Sequence, residues 1–210
     1  MRKIGEGAEA GIYLTRLCGL EAVAKVRSAK PYRAPALDVT IREQRTRREA
    51  RIMALAEPRI SNVPALLMLR KYALYMRRVR GTQLSAAMRR MRRRTLLRHM
   101  RTAGTYLARL HAASIVHGDY TPANLLVSQR GARLYLIDFG LSSISADAEE
   151  KATDLLLMKR AVIPECFDAF SQAYRASYND AATILARLRS IERRGRYQLR
   201  TLQHASDRIR

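Results

Sequence analysis

In the first third of the chain, apolar residues come in short runs broken by glycine, the pattern of strands joined by tight turns. Ile4, then Ile12-Tyr13-Leu14, then Ala22-Val23-Ala24 supply the runs, and Gly5, Gly7, Gly11 and Gly19 punctuate them. Three strands are predicted between Lys3 and about Arg27. A helix is predicted from about Thr40 to Ala56, with Thr40 and Glu43 at capping-box spacing and an apolar side of Ile41, Ile52, Met53 and Leu55. Glu57-Pro58 ends it, and two further strands fit Val63 to Leu69 and Ala73 to Met76. Beyond Gly81 the period becomes helical: Met88, Met91, Leu96, Leu97, Met100, Leu107 and Leu110 recur near 3.6 residues while arginines take the other face. A strand pair, Leu125 to Val127 and Leu134 to Ile137, interrupts before helices resume from about Ala148 to Arg189.

Strands first and helices afterwards predict an α+β protein of two lobes. The small β-rich lobe is expected over residues 1–80 and a reduced helical lobe over 81–210, joined near Val79 to Gly81. No internal repeat or low-complexity linker divides the chain, and 210 residues suffice to bury one sizeable core.

Charge changes the picture more than composition does. Net charge is +22, and lysine supplies only six of the 40 basic residues, so arginine supplies the other 34. Between Arg89 and Arg101 stand seven arginines and no acid, and the tail from Arg193 to Arg210 carries six arginines against Asp207 alone. Such a field attracts polyanions in a salt-dependent way and points to a nucleic-acid partner. The N-terminus has no apolar signal core, and no run of about 18 uncharged apolar residues occurs, so neither export nor a membrane span is expected. Cys18 and Cys166 stand far apart, outside any metal-ligand cluster, which fits a reducing cytoplasmic setting.

The candidate chemistry is concentrated between His117 and Gly140. His117-Gly118-Asp119 is followed by Asn124 five residues after the acid, and Ile137-Asp138-Phe139-Gly140 follows an apolar run. An acid, an amide and a second acid in this order suit a metal-bound nucleoside triphosphate. Asp119 is expected to orient or deprotonate the attacking hydroxyl or water; Asn124 and Asp138 are expected to hold Mg²⁺, which takes few protein oxygens besides phosphate oxygens. The alternative use of these residues, a turn for Asp119 and Asn124 and a cap for Asp138, requires several spaced matches to coincide.

Other residues extend the reading. Lys25 ends the third strand, where its ammonium could reach the phosphates if a carboxylate held it, and Glu49 on the following helix is the candidate holder. Gly5-Glu6-Gly7-Ala8-Glu9-Ala10-Gly11 lies between two strands, as a phosphate-covering loop should, although Glu6 and Glu9 must point away from phosphate or bind metal. Gly118 stands where protein kinases usually carry an arginine that senses a phosphorylated activation loop, so that mode of regulation is not expected. Thr121 stands where serine/threonine kinases carry lysine, which weakens the case for efficient protein phosphorylation. Ile163-Pro164-Glu165 reads as a helix break rather than the end of an activation segment.

With these residues in hand, the chain resembles the small atypical kinase/ATPase subunit of the KEOPS complex in its short archaeal form. The resemblance runs over nearly the whole chain. It rests on Gly7 to Ala10, Tyr32 to Asp38, Arg45 to Arg51, His117 to Asn124, Asp138 to Ser142, Lys151 to Asp154 and Arg193 to Arg196. It implies a compact two-lobed protein-kinase-like fold and magnesium-dependent ATP hydrolysis, with serine/threonine phosphorylation as a residual activity. It also implies support of tRNA threonylcarbamoyladenosine formation, beside the threonylcarbamoyl transferase and the other subunits of the complex. By the same analogy the ATP-binding and catalytic set is Lys25, Glu49, Asp119, Asn124 and Asp138. Gly5, Gly7 and Ala8 would cover the phosphates, and Met76 and Val79 would flank adenine. Asp154 would brace the catalytic loop, and the basic surface and C-terminal tail would reach tRNA or the partner enzyme. Arg77 departs from the family, which usually has a hinge glutamate just after the position of Met76.

Three other functions compete. Small-molecule phosphotransferases of the aminoglycoside and choline type share His-Gly-Asp, Asn and Ile-Asp-Phe, but use a large helical insert and an acidic pocket, whereas Gly81 to His111 is short and basic. A binding module for tRNA or a partner, with vestigial catalytic residues, is the second. A conventional signalling kinase is the third.

Overall fold

The computed structural model describes residues 1–207 except 8, 61 and 130–132, and side chains as far as residue 194. Its first five strands are β1 (Arg2–Glu6), β2 (Gly11–Leu17), β3 (Leu20–Val26), β4 (Leu66–Arg70) and β5 (Ala73–Arg77). They form one sheet in the order β1-β2-β3-β5-β4, every recorded pairing antiparallel. In β3 the period-two rule buries Ala22 and Ala24 on one face. Register then sets Lys25 opposite Ile12 on β2 and Leu74 on β5.

Helix α1 (Pro35–Ala56) starts five residues before the predicted Thr40. Pro35 occupies the first helical turn, where a missing N–H costs nothing, and Ala34 is the N-cap without a side-chain cap bond. The expected capping box is absent: Thr40 lies inside the helix with its hydroxyl on the Ala36 carbonyl at 3.0 Å, and Glu43 pairs with Arg47 at 2.7 Å. Of the expected apolar side, Ile52 and Met53 are buried, but Leu55 is exposed. The buried residues are Asp38, Thr46, Glu49, Ala50, Ile52, Met53 and Ala56, mixing polar with apolar side chains. That mixture is what hides them from a hydrophobicity pattern.

Beyond Arg80 come β6 (Gly81–Gln83), α2 (Leu84–Ala87), a 3-10 turn over Met88–Arg90 and the long helix α3 (Arg93–Ala112). As the 3.6 period predicts, α3 buries Met100, Leu107 and Leu110 and exposes Arg94, Arg98 and Arg101. After β7 (Ile115–Val116) the chain forms β8 (Leu125–Ser128), β9 (Leu134–Leu136) and β10 (Ser143–Ile144), then α4 (Ala148–Ala161), α5 (Pro164–Ser177) and α6 (Ala181–Asp207). Pro164 opens α5, so Ile163-Pro164-Glu165 is the predicted helix break. Helices α3 and α5 pass so closely at Gly104 that a Cβ there would lie 2.1 Å from the Phe170 carbonyl oxygen.

β6 pairs with β8 and β8 with β9, while β7 pairs with β10. These two small sheets hold the segments that carry the candidate chemistry. One continuous apolar core runs from Ile52, Met53 and Leu74 through Leu107 and Leu136 to Phe170 and Leu188, so strands and helices are stabilised together.

Candidate active site

Asp119 leaves β7 and Asp138 leaves β9, and the pairing of Val116 with Ser143 brings those two exits side by side. Ile137 N–H donates to the Asn124 carbonyl at 2.9 Å, which joins the two turns directly. Two-residue strands are too short to show a period in sequence, so β7 and β10 were not predicted.

Asn124 Nδ2 donates to both the Asp119 backbone oxygen and Asp119 Oδ2, each at 2.8 Å. Both bonds use the amide nitrogen, so neither consumes the amide oxygen. Lys25 Nζ donates to Glu49 Oε1 at 2.8 Å and to Asp138 Oδ1 at 2.6 Å. Lys25, Glu49 and Asp138 therefore converge, and the expected Lys25–Glu49 pair is present. Burial pushes the Asp138 carboxyl up, but the adjacent Lys25 ammonium, its hydrogen bond and the Gly140 N–H outweigh that and hold it below the usual value. Asp138 also has φ +62°, a left-handed conformation uncommon outside glycine, so surrounding contacts must hold it there.

Beneath the loop Asp154 accepts the His117 N–H at 2.7 Å and the Gly118 N–H at 2.8 Å. It also meets His111 Nε2 at 3.2 Å, while His111 Nδ1 meets the Tyr174 hydroxyl at 2.8 Å. Burial drives both His111 and His117 below their usual pKa, and pushes the Tyr174 hydroxyl up. The neutral His117 ring donates from Nε2 to the Ile137 carbonyl at 3.3 Å and accepts the Asp119 N–H at Nδ1, also at 3.3 Å. That single tautomer ties the two acid-bearing turns together.

Gly118 has a reason beyond the missing arginine. Its φ is +81°, and a Cβ would lie 2.5 Å from the Leu141 carbonyl oxygen. Ser142 closes the same contact by donating Oγ to the His117 carbonyl at 2.8 Å. The chain after Asp138 is thus folded against the His117 loop, in space a side chain at position 118 would need.

Of the glycine-rich loop, Gly5 lies within β1 opposite Ile12, and Gly7 N–H donates to the Ala10 carbonyl at 2.9 Å. The expectation for Ala8 falls outside the described residues. Glu6 turns outward onto Lys3 at 2.7 Å, and Glu9 turns onto arginines, which settles where the loop acids go. Met76 pairs with Val23 on β3, and half-buried Val79 lies in the connection to β6. Beside it, Glu21 accepts from Arg78 at 3.1 Å and from Arg80 at 2.9 Å, while Arg77 is exposed.

Sequence reasoning missed several of these partners. Arg27, Glu21, His111 and Tyr174 belong to no short motif. Arg27 alone had a signal, since it follows Lys25 by two residues and so projects from the same face of the strand line. Among the described residues no group of three or more His, Cys, Asp or Glu side chains could hold a metal. One carboxylate, Asp138, beside one amide oxygen, Asn124, is the sparser donor set that suits Mg²⁺ shared with phosphate oxygens.

The protein kinase domain family matches residues 1–177. The KEOPS complex subunit Bud32 of Pyrococcus abyssi is 32% identical, and the alignment covers 96% of this chain and 98% of that protein. This chain belongs to the Bud32 family of protein kinases. Sequence similar to this chain also occurs within longer proteins. A probable bifunctional tRNA threonylcarbamoyladenosine biosynthesis protein of Methanoculleus marisnigri is 34% identical over 92% of this chain, which spans only 36% of its length. Among solved structures, the Rio2 kinase-ADP/Mg²⁺-phosphoaspartate complex from Chaetomium thermophilum aligns with a TM-score of 0.61 at 16% identity, covering 93% of this chain and 70% of that one. The kinase-like α+β fold expected from the Bud32-type motifs is therefore present.

Proposed function

We propose that this chain is the atypical kinase/ATPase subunit of a KEOPS complex, hydrolysing ATP with Mg²⁺ in support of tRNA threonylcarbamoyladenosine formation. The observation that carries the reading is the convergence of Lys25, Glu49 and Asp138 next to the bonded pair Asp119 and Asn124. The short, basic segment Gly81 to His111, with exposed arginines on α3, disfavours a small cationic acceptor.

Lys25 binds the α and β phosphates, exchanging its bond to Asp138 for phosphate oxygens while Glu49 keeps the ammonium in place. Asp138 and the Asn124 amide oxygen would hold Mg²⁺, which would supply neutralisation of charge developing on the phosphoryl oxygens. Asp119, oriented by Asn124, accepts the proton of the attacking water or hydroxyl. Asp154 holds the backbone of His117 and Gly118 so that Asp119 keeps its position. Gly5 and Gly7 cover the phosphates, and Met76 and Val79 line the adenine side. Residues 1–80 form the nucleotide-covering lobe and residues 81–210 the catalytic lobe.

The threonylcarbamoyl transferase and other KEOPS subunits are the protein partners. tRNA is met by the basic surface and the C-terminal tail, whose side chains from residue 195 lie outside the described residues. A cytoplasmic setting accords with two free cysteines, and among the described residues no helix is long and apolar enough to cross a membrane.

The test is ATPase turnover of the chain alone and with the transferase and tRNA, across a salt series. Slow hydrolysis alone and stimulation that fades as salt rises are expected. Asp119→Asn should lower turnover by about two to four orders of magnitude while Mg·ATP still binds. Unchanged turnover in Asp138→Asn would overturn the reading.

A further inference from the structure

Glu9 places a carboxylate on the loop proposed to cover a triphosphate, and the structure shows what restrains it. Its Oε2 accepts from Arg27 Nη1 at 3.1 Å, its Oε1 is held by Arg45, and Arg33 Nη2 lies 3.9 Å away. Arg27 is only 4% exposed, and its other terminal nitrogen binds Glu49 Oε2 at 2.7 Å. Glu49 thus divides its two oxygens between Lys25 and Arg27. A Cβ on Gly140 would lie 3.0 Å from Lys25 Nζ and 3.6 Å from Arg27 Nη2, which sets the guanidinium beside the ammonium next to the Asp138 turn. Alternating charges therefore run without a break from Asp138 through Lys25, Glu49, Arg27 and Glu9 to Arg45.

A glycine-containing loop has little conformational preference of its own, so it needs an anchor to keep one position. A free carboxylate beside a triphosphate would also repel it. Charge-assisted bonds to poorly hydrated guanidinium groups answer both needs and are stronger away from bulk water.

We propose that Glu9, gripped by Arg27 and Arg45, is a clamp that fixes the glycine-rich loop over the nucleotide and keeps the loop's own acid off the phosphates. Glu9, Arg27 and Arg45 are positioning residues for nucleotide binding. The proposal rests on the reading of this site as the Mg·ATP site.

The experiment titrates a fluorescent ATP analogue with Mg²⁺ into the full chain and its variants, with thermal unfolding to verify that each is folded. Arg45 is one-third exposed and outside the proposed catalytic set, so Arg45→Met should fold. Glu9→Gln releases the loop without leaving a charge and should weaken binding about threefold; Arg45→Met leaves a charged acid held by Arg27 but not Arg45, freer to swing toward phosphate, and should weaken it about tenfold. The double variant should bind within about twofold of Glu9→Gln, because the charge that made Arg45→Met harmful is gone. Arg45→Lys should restore most of the affinity.

Binding by Arg45→Met equal to wild type, or multiplicative loss in the double variant, would overturn the clamp while leaving the ATP reading intact. A wild-type chain that takes up no nucleotide would remove that reading, and the clamp with it.

Discussion

Lys25 Nζ stands 2.6 Å from Asp138 Oδ1 across 113 positions of sequence. The bond crosses from the five-stranded sheet to the turn after β9, and its two ends are unequal. The Asp138 side chain is about half exposed, whereas Glu49, the other partner of Lys25, is 1% exposed. Removing one charge at the exposed end costs little, but removing the ammonium strips a buried carboxylate of one of its two cations. Asp138→Asn should therefore abolish ATP turnover with the urea midpoint nearly unchanged. Lys25→Met should lose nucleotide binding and about 2 kcal/mol of stability as well. Equal stability of the two variants would contradict this division.

Gly118 bears on both backbone strain and packing. With φ +81° and the Leu141 carbonyl in the space of a Cβ, Gly118→Ala should destabilise the chain by about 2–4 kcal/mol in chemical denaturation. Ser142 and Leu141 would be pushed from the His117 loop, so turnover should fall more than nucleotide affinity does. A variant as stable as wild type would show that the turn can relax in a way this geometry does not provide.

Acid should loosen the helical half through its buried imidazoles. His111 and His117 both lie below their ordinary value of 6.5 when folded, so the unfolded chain takes up protons first as pH falls. Their contribution to stability is complete above about pH 6.5 and is lost as pH drops toward the lowered folded values. Urea midpoints at pH 7.5, 6.5 and 5.5 should decline across that series. His111→Gln should flatten the decline, and an unaltered slope in that variant would assign the effect elsewhere.

Much of the candidate site was legible because its residues sit at fixed offsets along the chain. Asp119 and Asn124 lie within one turn, so their contact is local and a motif can encode it. Lys25 and Glu49 were legible only beside the loop motifs, because a strand-end lysine and a carboxylate on the following helix fit a surface residue and an unrelated acid equally well. The start of α1 was misplaced because Thr40 and Glu43 imitate a capping box, whereas the helix begins at Pro35 behind an N-cap, Ala34, that makes no side-chain bond and so leaves no polar signature.

Sequence alone determined the order of the longer strands and helices, the acids and amide of the loop, and the strongly basic charge, since each is set by local spacing or by counting. Only the tertiary structure decided that Glu49 is shared between Lys25 and Arg27, that Glu9 turns onto arginines, and that His111 and Tyr174 stand behind Asp154. Those pairings join residues far apart in the chain, and an ion pair forms where folding has already brought two charges together out of water.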